Sequence, residues 1–408
     1  MKLLDLLFLT LIFLGYKAIF ILVCTLSSFL NVYDTSTSFV LKQPKNILQR
    51  IITSLVRWDN IYFVTLAHRG LLFEQEWAFG PGFPYLVRLF TDNIFLDKSL
   101  YNYALASIII SHLFHFFSIF ILYHLTFKIY KSRDIAIVTS LLYLISPSGI
   151  FLSAGYSESL FSFVTFLGFF FFEEGYNFLA ALTWCIASTI RSNGVLWSIF
   201  FLNSVFIYIY KFLKSPRFYL FFKIVKFGIC SIIVCTGFFW IQYHAYIKFC
   251  WQKKQRIWCS KTIPSIYSFV QSYYWNIGFF KYFTVPQIPN FILAFPSIYL
   301  SIRSGTYSLM NKNRVQKFTR KLDLYYIAQL LLTILCICVM HIQIFTRMIS
   351  CLPGIYWWLA NYLLNIRSCF YLNKVSNKKK DKSIYWIKVW VLYGMVQAVL
   401  FGAFLPPA

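Results

Sequence analysis

Apolar residues run along this chain in blocks too long for strands or for one-sided surface helices. Leu3 to Leu30, Ala104 to Phe127, Phe227 to Ile247, Leu324 to Phe345 and Ile384 to Leu405 each approach or exceed the length needed to cross a bilayer, roughly 20 helical residues for about 30 Å of hydrocarbon. Six further blocks are shorter or broken by Pro and Gly: Ile135 to Leu152, Tyr156 to Phe172, Phe178 to Ile190, Val195 to Leu213, Val285 to Ile302 and Met348 to Ile366. The pattern predicts an all-α, polytopic transmembrane helical protein of about eleven spans. No internal repeat or Ser/Gly linker divides it, so residues 1–408 are expected to form one membrane domain. Lys2 precedes the first block and Lys17 interrupts it, with no small-x-small cleavage site before Asn31, so an uncleaved signal anchor is expected.

Composition agrees, with 59% hydrophobic and only 12% charged residues. A net charge of +25 would suggest nucleic acid in a soluble chain. Here topology accounts for it. With a cytosolic N-terminus, the basic clusters at 128–133, 211–226, 303–321 and 367–382 all fall on the cytosolic side, and the short opposite turns are almost free of Lys and Arg. No nucleic-acid partner is therefore expected. The segments Asn31 to Tyr103 and Lys248 to Phe283 break the sorting, as long translocated segments can. They are expected to be a large and a second luminal loop, and they are where function is sought. Asn311 to Lys321 and Asn373 to Ser383 read as cytosolic connectors against anionic headgroups. Of ten cysteines, Cys250 and Cys259 share one of the non-cytosolic loops, either as a disulfide or as two thiols.

Four polar constellations interrupt this background. Arg57-Trp58-Asp59 opens the first long loop, followed by Glu74, Glu76 and Trp77-Ala78-Phe79-Gly80-Pro81-Gly82-Phe83-Pro84. Glycosyl transfer needs a base near the acceptor oxygen and positive charge near the leaving phosphate. Asp59 and Arg57 supply one of each; the alternative is a surface ion pair, and Glu74 and Glu76 read as solvated. Ser153 to Ser159 holds Glu158, which either assists the base from a polar cavity or sits at the positive end of a helix. Arg191-Ser192-Asn193-Gly194 carries the one cation of a short non-cytosolic turn, suited to a lipid phosphate or to snorkelling toward headgroups. His341, Gln343 and Arg347 end an apolar helix, lining a cavity mouth or marking the boundary. No metal-ligand spacing, P-loop, dinucleotide fingerprint or Gly-x-Ser-x-Gly elbow is present, so no cofactor and no metal are implied.

In chain order these blocks, with Tyr274 to Tyr282, Gln287 to Phe291 and Tyr356-Trp357-Trp358, resemble the GPI mannosyltransferase 2 family. The sequence departs from that family's usual pattern at Gly80 and Asn276, neither of which touches the candidate base. The resemblance implies a GT-C glycosyltransferase in the endoplasmic reticulum membrane with a luminal active site. It implies dolichyl-phosphate mannose as donor and mannosyl-glucosaminyl-phosphatidylinositol as acceptor, with a small accessory membrane subunit as a further partner. On this reading the enzyme inverts the donor to give an α-1,6 linkage, with Asp59 as base and Glu158 assisting. Arg191, Arg347 and Arg57 hold the donor phosphate, and Trp58, Asn193, His341 and Gln343 contact substrate. The alternatives are another luminal GT-C transferase using a dolichyl-phosphate sugar, or a polytopic lipid transporter or scaffold.

Overall fold

A computed structural model describes residues 1–30, 32–251, 256–310, 316–371 and 383–406. Among them every apolar block falls on a helix and no strand occurs. The first block makes α1 (Leu3–Ser27). Lys17 interrupts it because its side-chain nitrogen is buried and donates to Leu152 O at 3.0 Å and Ser153 Oγ at 2.5 Å, fastening α1 to the turn before α7.

The stretch expected as a long loop folds instead into α2 (Ile47–Leu55), α3 (Asp59–Arg69) and α4 (Gly82–Ile94). Asn46 caps α2 by accepting from Gln49 N at 2.8 Å. Gly80 stands at φ +74°, and a Cβ there would overlap the Ile190 carbonyl, so the backbone before α4 can lie directly against the end of α8. Behind this stretch come α5 (Leu100–Tyr130), α6 (Arg133–Leu144), α7 (Glu158–Glu174), α8 (Asn177–Ile190), α9 (Ser198–Lys214) and α10 (Phe218–Tyr246). The second non-cytosolic stretch carries α11 (Ile266–Tyr273). The remainder is α12 (Ile288–Met310), α13 (Gln316–Val339), the short α14 (Phe345–Met348), α15 (Pro353–Tyr371) and α16 (Ser383–Gly402).

Seven helical segments among the described residues are long and apolar enough to cross a membrane, against the eleven or so expected from the blocks. The shortfall includes α6, α7 and α8, of 12, 17 and 14 residues. They pack within the bundle, α7 between α5 and α8, and α6 against α5 and α15. Aromatic side chains from several of these helices fill the centre, with Trp184, Trp197, Tyr143, Tyr356 and Trp357 fully buried. Of the two basic connectors, residues 311–315 of the first and 373–382 of the second lie outside the described residues.

A second, smaller core sits apart from the first. Trp77, Phe249, Trp258, Ile266, Phe269 and Val270 form it, and a Cys250–Cys259 disulfide with Cα atoms 5.6 Å apart closes its loop. Glu74 and Glu76, expected in solvent, are buried beside it. Glu74 accepts from Trp258 Nε1 at 2.8 Å and Tyr274 Oη at 3.2 Å. Glu76 accepts from Arg69 Nη2 at 2.5 Å and from the Leu72 and Phe73 amides at 2.7 and 2.9 Å. Each acid is buried because it satisfies several donors at once.

Candidate active site

The site begins at a forced turn. Trp58 holds φ 52° and ψ −127°, a region that costs a non-glycine residue about 1–3 kcal/mol and persists only where neighbours over-determine it. Those neighbours are present on every side. Phe404, in the segment after α16, sets its ring at 5.2 Å and 89° to Trp58 and 4.8 Å beneath the Arg57 guanidinium. Tyr156 Oη donates to Arg57 O at 3.0 Å, and Asn60 Nδ2 donates to Leu55 O and Ala154 O at 3.0 and 2.5 Å. The turn thereby starts α3 at Asp59, with its carboxylate at the positive end of the helix.

Glu158 occupies the same place on α7, at its first residue. Arg191 ends α8 in extended conformation, and Arg347 sits on α14. These four side chains form one line. Arg191 Nη1 donates to Glu158 Oε1 at 2.5 Å, Arg347 Nε donates to the same oxygen at 2.5 Å, and Arg347 Nη1 donates to Asp59 Oδ2 at 2.6 Å. The Arg347 guanidinium is further flanked by the rings of Phe151 at 5.1 Å and Tyr156 at 5.0 Å. Burial opposes its charge, but Glu158 and Asp59 more than offset that and raise its pKa above the ordinary arginine value. Exposure separates the two acids, since the Glu158 side chain is 1% exposed and that of Asp59 is 34%.

Asp59, Arg191 and Arg347 open onto a cavity of about 560 Å³ that is also lined by Trp58, Asn193, His341 and Gln343. Two expected site residues do not reach it. Arg57 gives its Nη1 to Thr37 Oγ1 at 2.9 Å and its face to Phe404, because the turn at Trp58 sends it into the protein. Glu158 lies behind the two arginines that use its Oε1. His341 donates from Nε2 to Trp275 O at 3.1 Å, and burial lowers its pKa below the ordinary histidine value, favouring neutral imidazole.

The cavity also has walls that residue type alone did not single out. Tyr62, Phe79, Tyr267, Gln271, Trp275 and Asn290 line it, and Tyr267 Oη accepts from Ser192 Oγ at 2.7 Å. Trp275 and Asn290 fell inside resemblance blocks without a role, whereas Tyr267 and Gln271 lie on α11, which carries no local motif. Among the described residues, no three His, Cys, Asp or Glu side chains gather as a metal-binding group, and the carboxylates of the site face arginines.

The chain matches the Mannosyltransferase (PIG-V) family over residues 4–408. It is 34% identical to the GPI mannosyltransferase 2 of Schizosaccharomyces pombe over 406 residues, 97% of this chain and 84% of that one. It is 33% identical to the GPI mannosyltransferase 2 of Gibberella zeae, with 98% and 97% covered, and 30% identical to that of Saccharomyces cerevisiae, with 98% and 99% covered. Among solved structures, the archaeal oligosaccharyltransferase AglB from Archaeoglobus fulgidus aligns with a TM-score of 0.50 at 12% identity, over 96% of this chain and 55% of that one. That likeness is one of fold, the GT-C helical architecture.

Proposed function

Because this chain belongs to the PIG-V mannosyltransferase family, it is a mannosyltransferase, and we propose that it adds the second mannose, through an α-1,6 bond, to a GPI-anchor precursor. In this reading the donor is dolichyl-phosphate mannose and the acceptor mannosyl-glucosaminyl-phosphatidylinositol; a mannose donor and a GPI precursor fit the GPI mannosyltransferase 2 name that its relatives bear. The observation that carries the assignment of roles is the line Arg191–Glu158–Arg347–Asp59, whose only well-exposed carboxylate belongs to Asp59.

Arg347 occupies Oδ2 of Asp59, which leaves Oδ1 to accept the proton of the acceptor 6-hydroxyl. The deprotonating oxygen attacks the anomeric carbon of the β-linked donor. The bond from that carbon to the phosphate oxygen breaks with its electron pair, and the configuration inverts to α. Arg191 and Arg347 stabilise the dolichyl phosphate as it leaves, through guanidinium N–H groups not spent on the acids. Glu158 touches neither substrate and acts as a positioning residue for both arginines. Trp58, Asn193, His341 and Gln343 contact substrate from the cavity wall.

The site faces the endoplasmic reticulum lumen. The Cys250–Cys259 disulfide close by supports an oxidising compartment. Residues 31–103 and 248–283 then lie on the luminal face, and an accessory membrane subunit completes the enzyme in the cell.

The test is Asp59→Asn in cells that have no other copy of the enzyme. Asn is nearly isosteric but cannot take the proton, so transfer is expected to slow about 10²- to 10⁴-fold. A precursor with one mannose should accumulate in lipid extracts while the protein stays at normal abundance. Two-mannose precursor made at the wild-type rate would rule out Asp59 as the base.

A further inference from the structure

The cavity has two unlike walls. Opposite in character to the ion-paired one is a wall of aromatic rings and side-chain amides, drawn from segments about 200 residues apart in sequence. Tyr62 lies flat on Phe79, with ring centroids 4.9 Å apart and planes at 19°, and Trp275 meets Phe79 edge-on at 5.3 Å and 73°. Gln271 and Asn290 complete the wall.

We infer that this wall is a pyranose subsite for the acceptor's terminal mannose, in which Trp275 and Tyr62 cover the apolar C–H face of the ring and the Gln271 and Asn290 amides bind its hydroxyls. The inference rests on the transferase reading above. A pyranose has an apolar face rimmed by hydroxyls, and its complement is an aromatic face rimmed by amides. None of these five residues is charged, so the wall offers a phosphate no counter-charge, whereas Arg191 and Arg347 do.

Position assigns the wall to acceptor rather than donor. Tyr62 stands three residues beyond Asp59 on α3, on the same helix face, a rise of about 4.5 Å. A sugar resting on Tyr62 therefore brings its rim to the Asp59 carboxylate, where the attacking hydroxyl must lose its proton.

The wall is also fixed before any sugar arrives. Trp275 N donates to Val270 O at 3.3 Å, Trp275 O accepts from His341 at 3.1 Å, and the neighbouring Tyr274 hydroxyl is held on Glu74. Asn290 Nδ2 donates to Tyr282 Oη at 2.8 Å and Gln287 Oε1 at 2.7 Å, which sets the amide and leaves Oδ1 as the acceptor it can offer a hydroxyl. Such preorganisation lowers the ordering cost of binding.

The experiment is steady-state kinetics of the full-length enzyme in membranes, varying a one-mannose acceptor at saturating dolichyl-phosphate mannose and then the reverse. Trp275→Ala and Gln271→Ala should each raise the acceptor KM, Trp275→Ala by about ten-fold or more, with kcat within about two-fold and the donor KM unchanged. Trp275→Phe keeps a ring and should retain most of the affinity, and Gln271→Ala carries the test if Trp275→Ala fails to accumulate. An unchanged acceptor KM in an otherwise active enzyme overturns the subsite, as does a rise confined to the donor KM. Absence of transfer by the wild-type chain rejects the transferase reading itself, and the subsite with it.

Discussion

The two walls of the cavity are built by different means. The ion-paired wall forms where the ends of α3, α7, α8 and the short α14 meet, so its four charged side chains are set by the packing of the helical bundle. Part of the aromatic wall, Trp275 and Gln271, hangs on segments around the smaller, disulfide-closed core, through Trp258, Glu74 and Tyr274, whereas Phe79 packs on the main core. In the first wall two acids and two arginines are mutually dependent, and Arg191, Arg347 and Glu158 are largely withdrawn from water. In the second each group is neutral. On the proposed reading, bond-making chemistry thus sits where four helix ends pack together, and recognition on neutral groups partly carried by the smaller core.

The comparison is sharpest between the two carboxylates of the charged wall, and there the largest effect is expected. Glu158→Gln leaves Arg191 and Arg347 with no buried counter-charge at the oxygen they share. Removing one partner of a buried pair costs about 3–5 kcal/mol, against a total stability of about 5–15 kcal/mol for a typical domain. The variant should therefore fall in abundance and in thermal stability after extraction, as well as in activity. Asp59→Asn, at a half-exposed carboxylate, should leave stability within about 1 kcal/mol of wild type, the usual worth of a partly solvated pair. Glu158→Gln at wild-type stability and activity would show that the inner acid is not what holds the arginines.

How much of this was legible in the chain depended on distance along it. The helices were, because long apolar blocks have few other fates. Where local pattern alone was available, as from Asn31 to Tyr103, short helices of mixed polarity read as loop. Arg57 was drawn to Asp59 by adjacency, yet the backbone reversal at Trp58 separates them, and the true partner, Arg347, lies 288 positions away. The Glu158 pairings span 33 and 189 positions. Family resemblance put all four residues on one site without saying which met which. Glu74 failed for the same reason, since the Trp258 that buries it is 184 positions away and invisible to a reading of its acidic neighbourhood.

An intermediate effect should separate the two arginines. Arg347 bridges both acids through Nε and Nη1 and lies between the Phe151 and Tyr156 rings, whereas Arg191 gives one hydrogen bond to Glu158. Lysine retains the charge but neither forks nor stacks in this way. Arg347→Lys is expected to reduce transfer by about 100-fold, the scale of losing a transition-state donor, and Arg191→Lys by about 10-fold. Arg191→Ala should fall below Arg191→Lys. Initial rates at saturating acceptor, normalised to protein in the membrane, measure this. Equal losses for the two lysine variants would mean that the bridge to Asp59 contributes nothing beyond the charge.

The smallest effect belongs to the far end of the aromatic wall. The disulfide joins cysteines nine positions apart, and closing so short a loop contributes about 2–3 kcal/mol in the chain-entropy account. That stabilisation is local, because the loop carries Trp258, whose Nε1 holds Glu74, which in turn holds the Tyr274 hydroxyl next to Trp275. Cys250→Ser with Cys259→Ser should therefore loosen Trp275 and raise the acceptor KM by about two- to five-fold, a fraction of the effect of deleting the ring. Among the described residues, no member of the Arg191–Glu158–Arg347–Asp59 line bonds to this loop, so kcat should stay within about two-fold and the donor KM should not move. A reductant added to wild-type membranes should reproduce the change, and added to the double variant it should do nothing more. If kcat falls while the acceptor KM holds, the disulfide-closed core serves the charged wall instead, and the division between the two walls is wrong.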